Sequence, residues 1–568
     1  MYIARIPNRQ SPPAILLREG YREGGKVKNR TLANLTKWSE EKVEMFRRLL
    51  NDEKLAPMEK IFEIVGSAHH GHVQAVMTAI KRLGFEDVIA STSSRERDLV
   101  VSLVAARILD PESKLATTRW WHTTTLPDTL GVSDADEDDL YDAMDWLVER
   151  QGRIEKKLAA RHLKEGGMAL YDLSSSYFEG VTCPLAALGH NRDGKKGKLQ
   201  VNYGLLTDHR GCPVSVSVFP GNTGDPKTLM PQVRKVRNDF GIKTMVMIGD
   251  RGMISQKQID EIKEVGGMDW ITALKTDAIR KLVDGGALQM ELFDERDLFE
   301  FTHADFPGER LVACRNPELR KLRGHKRQSL LEATGRELTK VQGMVKRGAL
   351  SGKDKIGVRV GTVINKYKVA KHFVLEIEEK LFDFHVDEAK VAEEVLLDGI
   401  YVLRTSLAKE KRSAEDTVRH YKELSRVERA FRSMKTMDLK VRPIHHRLEN
   451  RVRAHIFLCM LAYYVEWHMR EAWRPVLFCD EDQERKKTRD PVAPATRSKS
   501  ALDKVHSRTL PNGRTVHSFQ TMLKLLSTVV RNRCRIPGEG EIVPTFDVHT
   551  TPTGEQKEIF NYLEGITV

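Results

Sequence analysis

The spacing of apolar residues changes at Met168, and this change limits the chain to folds that join a helical region to a sheet. Upstream, apolar residues recur every three or four positions in VQAVMTAIKRLGF, RDLVVSLVAARIL and LYDAMDWLVERQGRIEKKL, which predicts helices from Pro57 to about Leu163. Downstream, MALYDLSSSYFEG, QVNYGLLTD, CPVSVSVFPG and TMVMIGD are short apolar runs bounded by turn residues, with PKTLMPQVRKVRNDF as a helix between the last two. Met168 to Lys275 is therefore expected to be a mixed α/β sheet that begins with a meander. Residues 1–50 read as short strands broken by Pro and Gly, then a helix from about Ser39. Past Leu274 a charged stretch, with a basic helix near Glu318 to Arg347 and a strand in KHFVLEIEEKLFDFHVD, reads as an insertion. Strand character returns in GIYVLRT, followed by a long helix from about Ala414 to Met434 and an apolar one from about Arg453 to Met469. The expected divisions are 1–56 (strand-rich), 57–165 (helical, DNA-binding), 166–275 (first part of the core), 276–395 (insertion), 396–475 (second part of the core) and 476–568 (basic, with flexible linker character near Asp490 to Ser500). A length of 568 residues suits such a multi-unit arrangement.

Lys and Arg number 93 against 80 Asp and Glu, a formal charge of +13, which is the footprint of a protein that meets a polyanion; nucleic acid is the first candidate. The longest apolar run, Ile456 to Val465, is half of the roughly 20 residues a membrane span needs. The N-terminus MYIARIPNRQ lacks the apolar core of a secretion signal, so a cytoplasmic location and no membrane partner are expected. Six cysteines are scattered singly, with no Cys/His cluster at zinc-ligand spacing, so neither a disulfide framework nor a structural zinc site is expected.

Three carboxylates stand out by context. Asp172 ends one predicted strand and Asp250 another, while Glu428 lies in a helix between Leu424 and Phe431 on an apolar stripe, where a carboxylate needs a partner. Tyr421, Glu428 and Lys435 are spaced by seven residues, nearly two turns, and so project along one line of that helix. If the three carboxylates meet, they form an oxygen-rich site of the kind hard Mg²⁺ ions prefer, and two such ions about 4 Å apart suit phosphodiester chemistry. Taken singly, a strand-end Asp is as readily a turn or cap residue, and a helical Glu a salt-bridge partner.

The blocks YDLSSSYFEG, GLLTDHRGCPVSVSVFPGNTGD, MIGDRGMIS and DGIYVLRT, followed by Tyr421-x2-Leu424-x3-Glu428-x6-Lys435, resemble bacterial insertion-sequence transposases of the DDE type. The last signature is that of the branch with a β-rich insertion before its catalytic Glu and a Tyr-Arg-Glu-Lys pattern. The resemblance covers about Val73 to Met469, since PESKLATTRWW and DEDDLYDAMDWL are also similar to the upstream region of these proteins. It implies an α/β fold with a ribonuclease H-like catalytic core, interrupted by an insertion domain and preceded by a helical domain. In that core Asp172 lies on the first strand, Asp250 follows the fourth and Glu428 lies on a late helix, together holding two Mg²⁺ or Mn²⁺ ions. Tyr421 and Lys435 inherit contacts to phosphates near the cleaved end. The signature's Arg is Leu424 here, a departure that removes one phosphate donor and leaves Arg426 and Arg429 as the nearby substitutes.

Other residues carry less. Arg251, directly after Asp250, is a candidate phosphate contact or a salt-bridge partner; Lys195, Lys196 and Lys198, in the turn HNRDGKKGK, either track the DNA backbone or are solvated. His445, His446 and His455 lie among Arg442, Arg447, Arg451 and Arg453, which suggests backbone contacts rather than metal ligation, and Gly221 and Asn222 suggest a turn. Trp270 precedes the insertion and takes no base-holding role. The leading expectation is a transposase, nucleoid-associated in a bacterium, that binds the double-stranded ends of its element, cleaves with metal-activated water and joins the freed 3′-hydroxyls to target DNA as a homodimer. The rivals are a catalytically silent DNA-binding derivative, a stand-alone metal-dependent nuclease and, more distantly, a metal phosphatase.

Overall fold

The computed structural model describes residues 1–8, 11–53, 62–479, 490–493, 496–536 and 545–567. It forms two compact units, Met1–Ala68 with Val530–Thr550, and His69–Val529 with Thr551–Val568.

In the first unit β1 (Tyr2–Ile6), β2 (Ala14–Glu23) and β3 (Lys26–Asn34) make an antiparallel meander. Helix α1 (Glu40–Leu50) starts where the Ser39 hydroxyl accepts from the Lys42 amide, and it buries Val43 with Ile15, Leu17 and Leu35. A second small sheet joins β4 (Glu63–His69) to β15 (Val530–Arg535) and β16 (Thr545–His549). The expected helical stretch from Pro57 needs correction here. Pro57 lies outside the described residues, and Glu63–His69 is a strand rather than helix, with β-branched Ile64 and Val65 paired into a sheet.

Helices begin in the second unit: α2 (Gly71–Arg82), α3 (Phe85–Ile89), α4 (Arg95–Leu109), α5 (Lys114–Trp120), α6 (Leu126–Leu130), α7 (Glu137–Glu149) and α8 (Gln151–His162). Asp136 caps α7 in a reciprocal capping box with Asp139, which explains why that helix starts in an acidic run. The strands and helices of the core follow: β5 (Gly167–Tyr177), β6 (Gln200–Asp208), β7 (Pro213–Pro220), α9 (Pro226–Arg234), β8 (Met245–Ile248), α10 (Gln256–Val265) and β9 (Met268–Ala273). They sit in the order β7-β6-β5-β8-β9, with β5, β6 and β7 antiparallel to one another in turn and β8 and β9 parallel to β5. This is a ribonuclease H-like core. A methyl group at Gly221, after β7, would stand 2.0 Å from the Gln200 carbonyl, so the sharp turn in FPGNTGD requires glycine there.

The stretch read as an insertion is not wholly separate from this sheet. After α11 (Thr276–Asp284), β10 (Leu298–Phe301) and β11 (Arg310–Arg315) extend it through β14 (Ile400–Thr405), giving an eight-stranded sheet β10-β11-β14-β9-β8-β5-β6-β7. What projects is dominated by helix rather than strand: α12 (Pro317–Lys346), α13 (Lys353–Tyr367), a hairpin of β12 (Phe373–Ile377) and β13 (Phe382–Val386), and α14 (Glu388–Leu396). Its small core centres on Leu338, Ile356, Val360 and Phe382. KHFVLEIEEKLFDFHVD is a hairpin, not one strand, because the polar Glu378–Lys380 turn lets Ile377 pair with Phe382 and the Glu378 amide reach the Leu381 carbonyl at 2.9 Å.

The long helix expected over 414–434 is also broken, into α15 (Ala414–Lys422) and α16 (Leu424–Arg432), and it ends in a widened π turn at Ser433–Met437. Helix α17 (Glu449–Ala472) is buried along most of its length, and its apolar run Ile456–Val465 is core of the unit rather than a membrane segment. Among the described residues no helix is long and apolar enough to cross a membrane. Beyond it, α18 (Lys499–Ser507), α19 (Phe519–Ser527) and α20 (Gly554–Glu564) give the polar tail ordered elements, and α19 packs Phe519, Met522 and Leu526 into the main core. Most of the linker expected near Asp490 to Ser500 is described; residues 494 and 495 lie outside the described residues.

Candidate active site

Leu170 of β5 pairs in parallel with Ile248 of β8, so Asp250, just past the end of β8, comes level with Asp172, which lies in the middle of β5 rather than at the strand end expected, because β5 runs on to Tyr177 against β6. The Asp172 carboxylate accepts the Leu173 amide at 2.8 Å. Asp250 turns the chain out of β8 by accepting from the Gly252 and Met253 amides at 3.0 and 2.8 Å. Helix α16 lies against this sheet through Val427, Ala430 and Phe431, with the Phe431 ring 5.7 Å from that of Tyr203 on β6. The same packing carries Glu428 toward the two aspartates.

Electrostatics registers the meeting of all three. Burial pushes the Asp172 carboxyl up to about 7; the Leu173 N–H opposes that rise, the Asp250 charge adds to it, Arg192 opposes it and the Glu428 charge adds again. Tyr421 is held in the same field: burial, then Asp250, raises its hydroxyl to about 12, with Arg251 opposing and Asp172 and Glu428 contributing. One detail departs from expectation. Glu428 is exposed at the border of the stripe formed by Leu424, Val427 and Phe431, so water rather than a buried partner solvates it. Leu424 packs, partly buried, against the main core, and Arg426 lies 3.4 Å from Glu423.

The regular spacing of Tyr421, Glu428 and Lys435 is interrupted twice, by the break at Glu423 between the first two and by the π turn at Ser433–Met437 that bears Lys435. Its ammonium lies 3.1 Å from Ser174 Oγ, on the same face of β5 as Asp172, and 2.6 Å from Asp193. Asp193 is a buried node: it accepts from Lys435, from Arg442 and from the Tyr177 amide at 3.0 Å. Neighbouring Arg192 bonds Asp225 at 2.6 Å while its charge reaches Asp172. Sequence reasoning missed Asp193, Arg192 and Asp225. The signal for Asp193 was its isolation as the one acidic residue of HNRDGKKGK, a turn that folds back onto β5 rather than standing free.

The remaining candidates scatter. Arg251 and Lys196 are exposed, Lys198 pairs with Glu179 at 3.0 Å, and Lys195 stands 5.9 Å above the Tyr177 ring. His455 is buried and bonds the Val441 carbonyl at 3.0 Å, and Trp270 is a core residue whose indole donates to Glu309 at 3.3 Å. Sequence spacing predicts no zinc site, yet folding gathers His162, Cys212 and His468 from distant positions.

Asp172, Asp250 and Glu428 offer only oxygen acceptors, they repel one another, and the nearby Arg192 is already bonded to Asp225; a hard divalent cation fits such a set. Residues 142–465 match the transposase DDE domain, and residues 3–57 match the N-terminal domain of the IS1634 family transposases. The chain belongs to the DDE transposase family. It is an insertion-sequence transposase, and dependence on a divalent metal follows from the family. No curated protein matches it. Among solved structures, the transposase is similar at 8% identity and a TM-score of 0.36 to the piggyBac transposase synaptic complex with hairpin DNA, over 80% of this chain and 77% of that one. A second similarity, at 10% identity and a TM-score of 0.15, is to the Mos1 transposase paired-end complex with left transposon end, over 34% of this chain and 62% of that one.

Proposed function

We propose that the transposase binds the double-stranded ends of its own insertion sequence, cleaves there by phosphodiester hydrolysis and joins the freed 3′ ends to target DNA. Asp172, Asp250 and Glu428 are the metal ligands. The observation that carries this reading is the parallel register of β5 with β8, which sets Asp172 level with Asp250, together with the packing of α16, which bears Glu428, against β5. Two Mg²⁺ or Mn²⁺ ions held by these carboxylates would make a water or a 3′-hydroxyl a better nucleophile and offset charge at the scissile phosphate. A cation held there would favour the charged form of Asp172 against the burial and the neighbouring negative charges that raise its affinity for a proton.

The Tyr421 hydroxyl stays protonated at neutral pH and donates to a phosphate oxygen beside the cleavage site. Lys435 reaches a DNA phosphate by leaving Asp193, which Arg442 continues to neutralise. Arg251, Lys196 and Lys198 follow the backbone and set register without reading sequence. Pairing two element ends calls for two copies of the chain, a homodimer in the active complex.

The test is a cleavage and joining assay on labelled DNA carrying the element's flanking repeats, with Mg²⁺, beside Glu428→Ala and Asp250→Ala. Cutting at the repeat boundary and a joined product, both lost in the variants with DNA binding retained, are expected. Strand transfer retained by Asp250→Ala would sink the assignment.

A further inference from the structure

Cys212, at the turn between β6 and β7, lies between two histidines from elements far apart in sequence. Its Sγ is 4.0 Å from Nε2 of His162, the last residue of α8, and 3.8 Å from Nε2 of His468 on α17. The ligand atoms of all three lie within 4.8 Å of one another. A tetrahedral zinc ion, with Zn–S near 2.3 Å and Zn–N near 2.05 Å, holds S and N roughly 3.6 Å apart, so each sulfur-to-nitrogen gap needs to close by only a few tenths of an ångström. Cys212 is fully buried and His468 nearly so, a setting that orders the donors before any ion arrives.

The protonation states also suit a metal. Burial, joined at His468 by the charge of neighbouring imidazole and guanidinium groups, holds His162 down to about 4 and His468 down to about 3, so both rings are neutral and present lone pairs. The Cys212 thiol is pushed up by burial, then by Asp208, with Arg210 opposing, and so carries its proton without a metal. Around the trio, the Tyr464 hydroxyl lies 3.0 Å from His162 Nε2, and Arg210 approaches His162 Nδ1 at 3.3 Å while bonding Asp208 at 2.9 Å. These two contacts to His162 yield when its Nε2 takes a metal, and Arg210 keeps its bond to Asp208. His468 also lines a cleft of about 360 Å³ with Arg210, Trp467, Glu471 and Tyr562, which leaves room for a fourth ligand beside it.

We propose that His162, Cys212 and His468 form a zinc site separate from the carboxylates of the active site. A thiolate with two imidazoles is a donor set for Zn²⁺ and a poor one for Mg²⁺. Binding releases the Cys212 thiol proton to solvent as the Zn–S bond forms. The position is distinct because Asp208 and Cys212 flank the turn at the strand end where Ala169 pairs with Asp208, whereas Asp172 lies three residues further along β5, about 10 Å away. The ion would tie α8, the β6–β7 turn and α17 together behind the catalytic face.

The experiment uses the full chain, stripped with a chelator and titrated with Co²⁺. One equivalent should produce a thiolate-to-cobalt charge-transfer absorption and tetrahedral ligand-field bands, both erased by added Zn²⁺. Asp250→Asn should keep the full signal, because the active site contributes no sulfur. Cys212→Ser should lose the charge-transfer absorption, and His468→Gln should weaken Co²⁺ binding by roughly 100-fold or more. Should Cys212→Ser fail to fold, the His468→Gln titration and the proton released by wild type per Zn²⁺ bound decide alone. Absence of a thiolate band in wild type, or a band and affinity unchanged by these substitutions, overturns the proposal.

Discussion

Two carboxylate clusters of this transposase share one electrostatic symptom and have opposite chemistry around them. In both, burial is the leading cause of a carboxyl pushed up to about 7: Asp172 in the proposed active site and Glu466 inside α17. Glu466 is answered from within the protein. Arg470 lies 2.5 Å from it and 2.8 Å from Asp438, and the Ser433 hydroxyl reaches both carboxylates, at 2.8 and 2.7 Å. That closed network anchors the π turn bearing Lys435 to α17. Asp172 has no such answer, since the guanidinium nearest its field, Arg192, is bonded to Asp225 and its other neighbours are acidic. Negative charge that the fold balances is scaffold; negative charge that it leaves unbalanced at a sheet end is a place for a cation from outside.

The largest effect that separates the two clusters is catalytic. Asp172→Asn or Glu428→Gln should cut cleavage of end-bearing DNA by about 10³-fold or more, with thermal stability unchanged or slightly raised because a repulsive charge is gone. A variant that still cuts within tenfold of wild type would remove Asp172 from the ligand set. Next in size is Arg470→Met, which strands Glu466 and Asp438 and should cost about 3–5 kcal/mol in denaturant unfolding, whereas the active-site substitutions cost little. Equal stability losses in both clusters would erase the distinction.

Divalent cation without DNA should stabilise wild type by about 2.7 kcal/mol at a hundredfold excess over its dissociation constant, and this gain should vanish in Asp172→Asn but persist in Glu466→Gln. The pH dependence is smaller and its sign is fixed. An acid whose folded pKa is raised holds its proton more tightly when folded, so metal-free stability should fall as pH rises from about 4.5 to about 7, by at most about 1.4 kcal/mol per pH unit for each group. Excess Mg²⁺ should suppress the part due to Asp172, and Glu466→Gln should remove the rest; stability that rises over that window would refute both shifts. Smallest of all, Lys196→Ala should lower the salt slope of DNA binding by about 1 with no change in cleavage once bound.

The strands that carry Asp172 and Asp250 were legible as apolar runs, and Asp250 does stand just past the end of β8; Asp172, read as a strand end, lies in the middle of β5, because the serines after it pair on with β6 as far as Tyr177. Glu428 was legible as a member of the signature, but the partner expected for it on the apolar stripe is solvent, since a helical stripe gives angular position and not the depth to which α16 sits. Lys435 shows the limit most sharply: a seven-residue spacing assumes a straight helix, and neither the break at Glu423 nor the π turn leaves a mark in the periodicity. In the insertion α12 was legible as the basic helix near Glu318 to Arg347, but the β10–β11 extension of the sheet escaped for a related reason, because pairing partners more than 80 residues apart are chosen by the folded sheet edge.

The sequence by itself determined most local elements, the helical-then-sheet order and the basic charge, because period, turn chemistry and charge are properties of neighbours along the chain; the three carboxylates were proposed from the family signature. Tertiary structure alone decided which charges are balanced. Asp193 between Lys435 and Arg442, Glu466 with Arg470, Arg192 turned to Asp225, and Cys212 set between two histidines all depend on contacts across the fold. Burial is what gives those contacts weight: the same groups in water would be screened and solvated, and only the packed core makes a missing or present partner decide between scaffold and site.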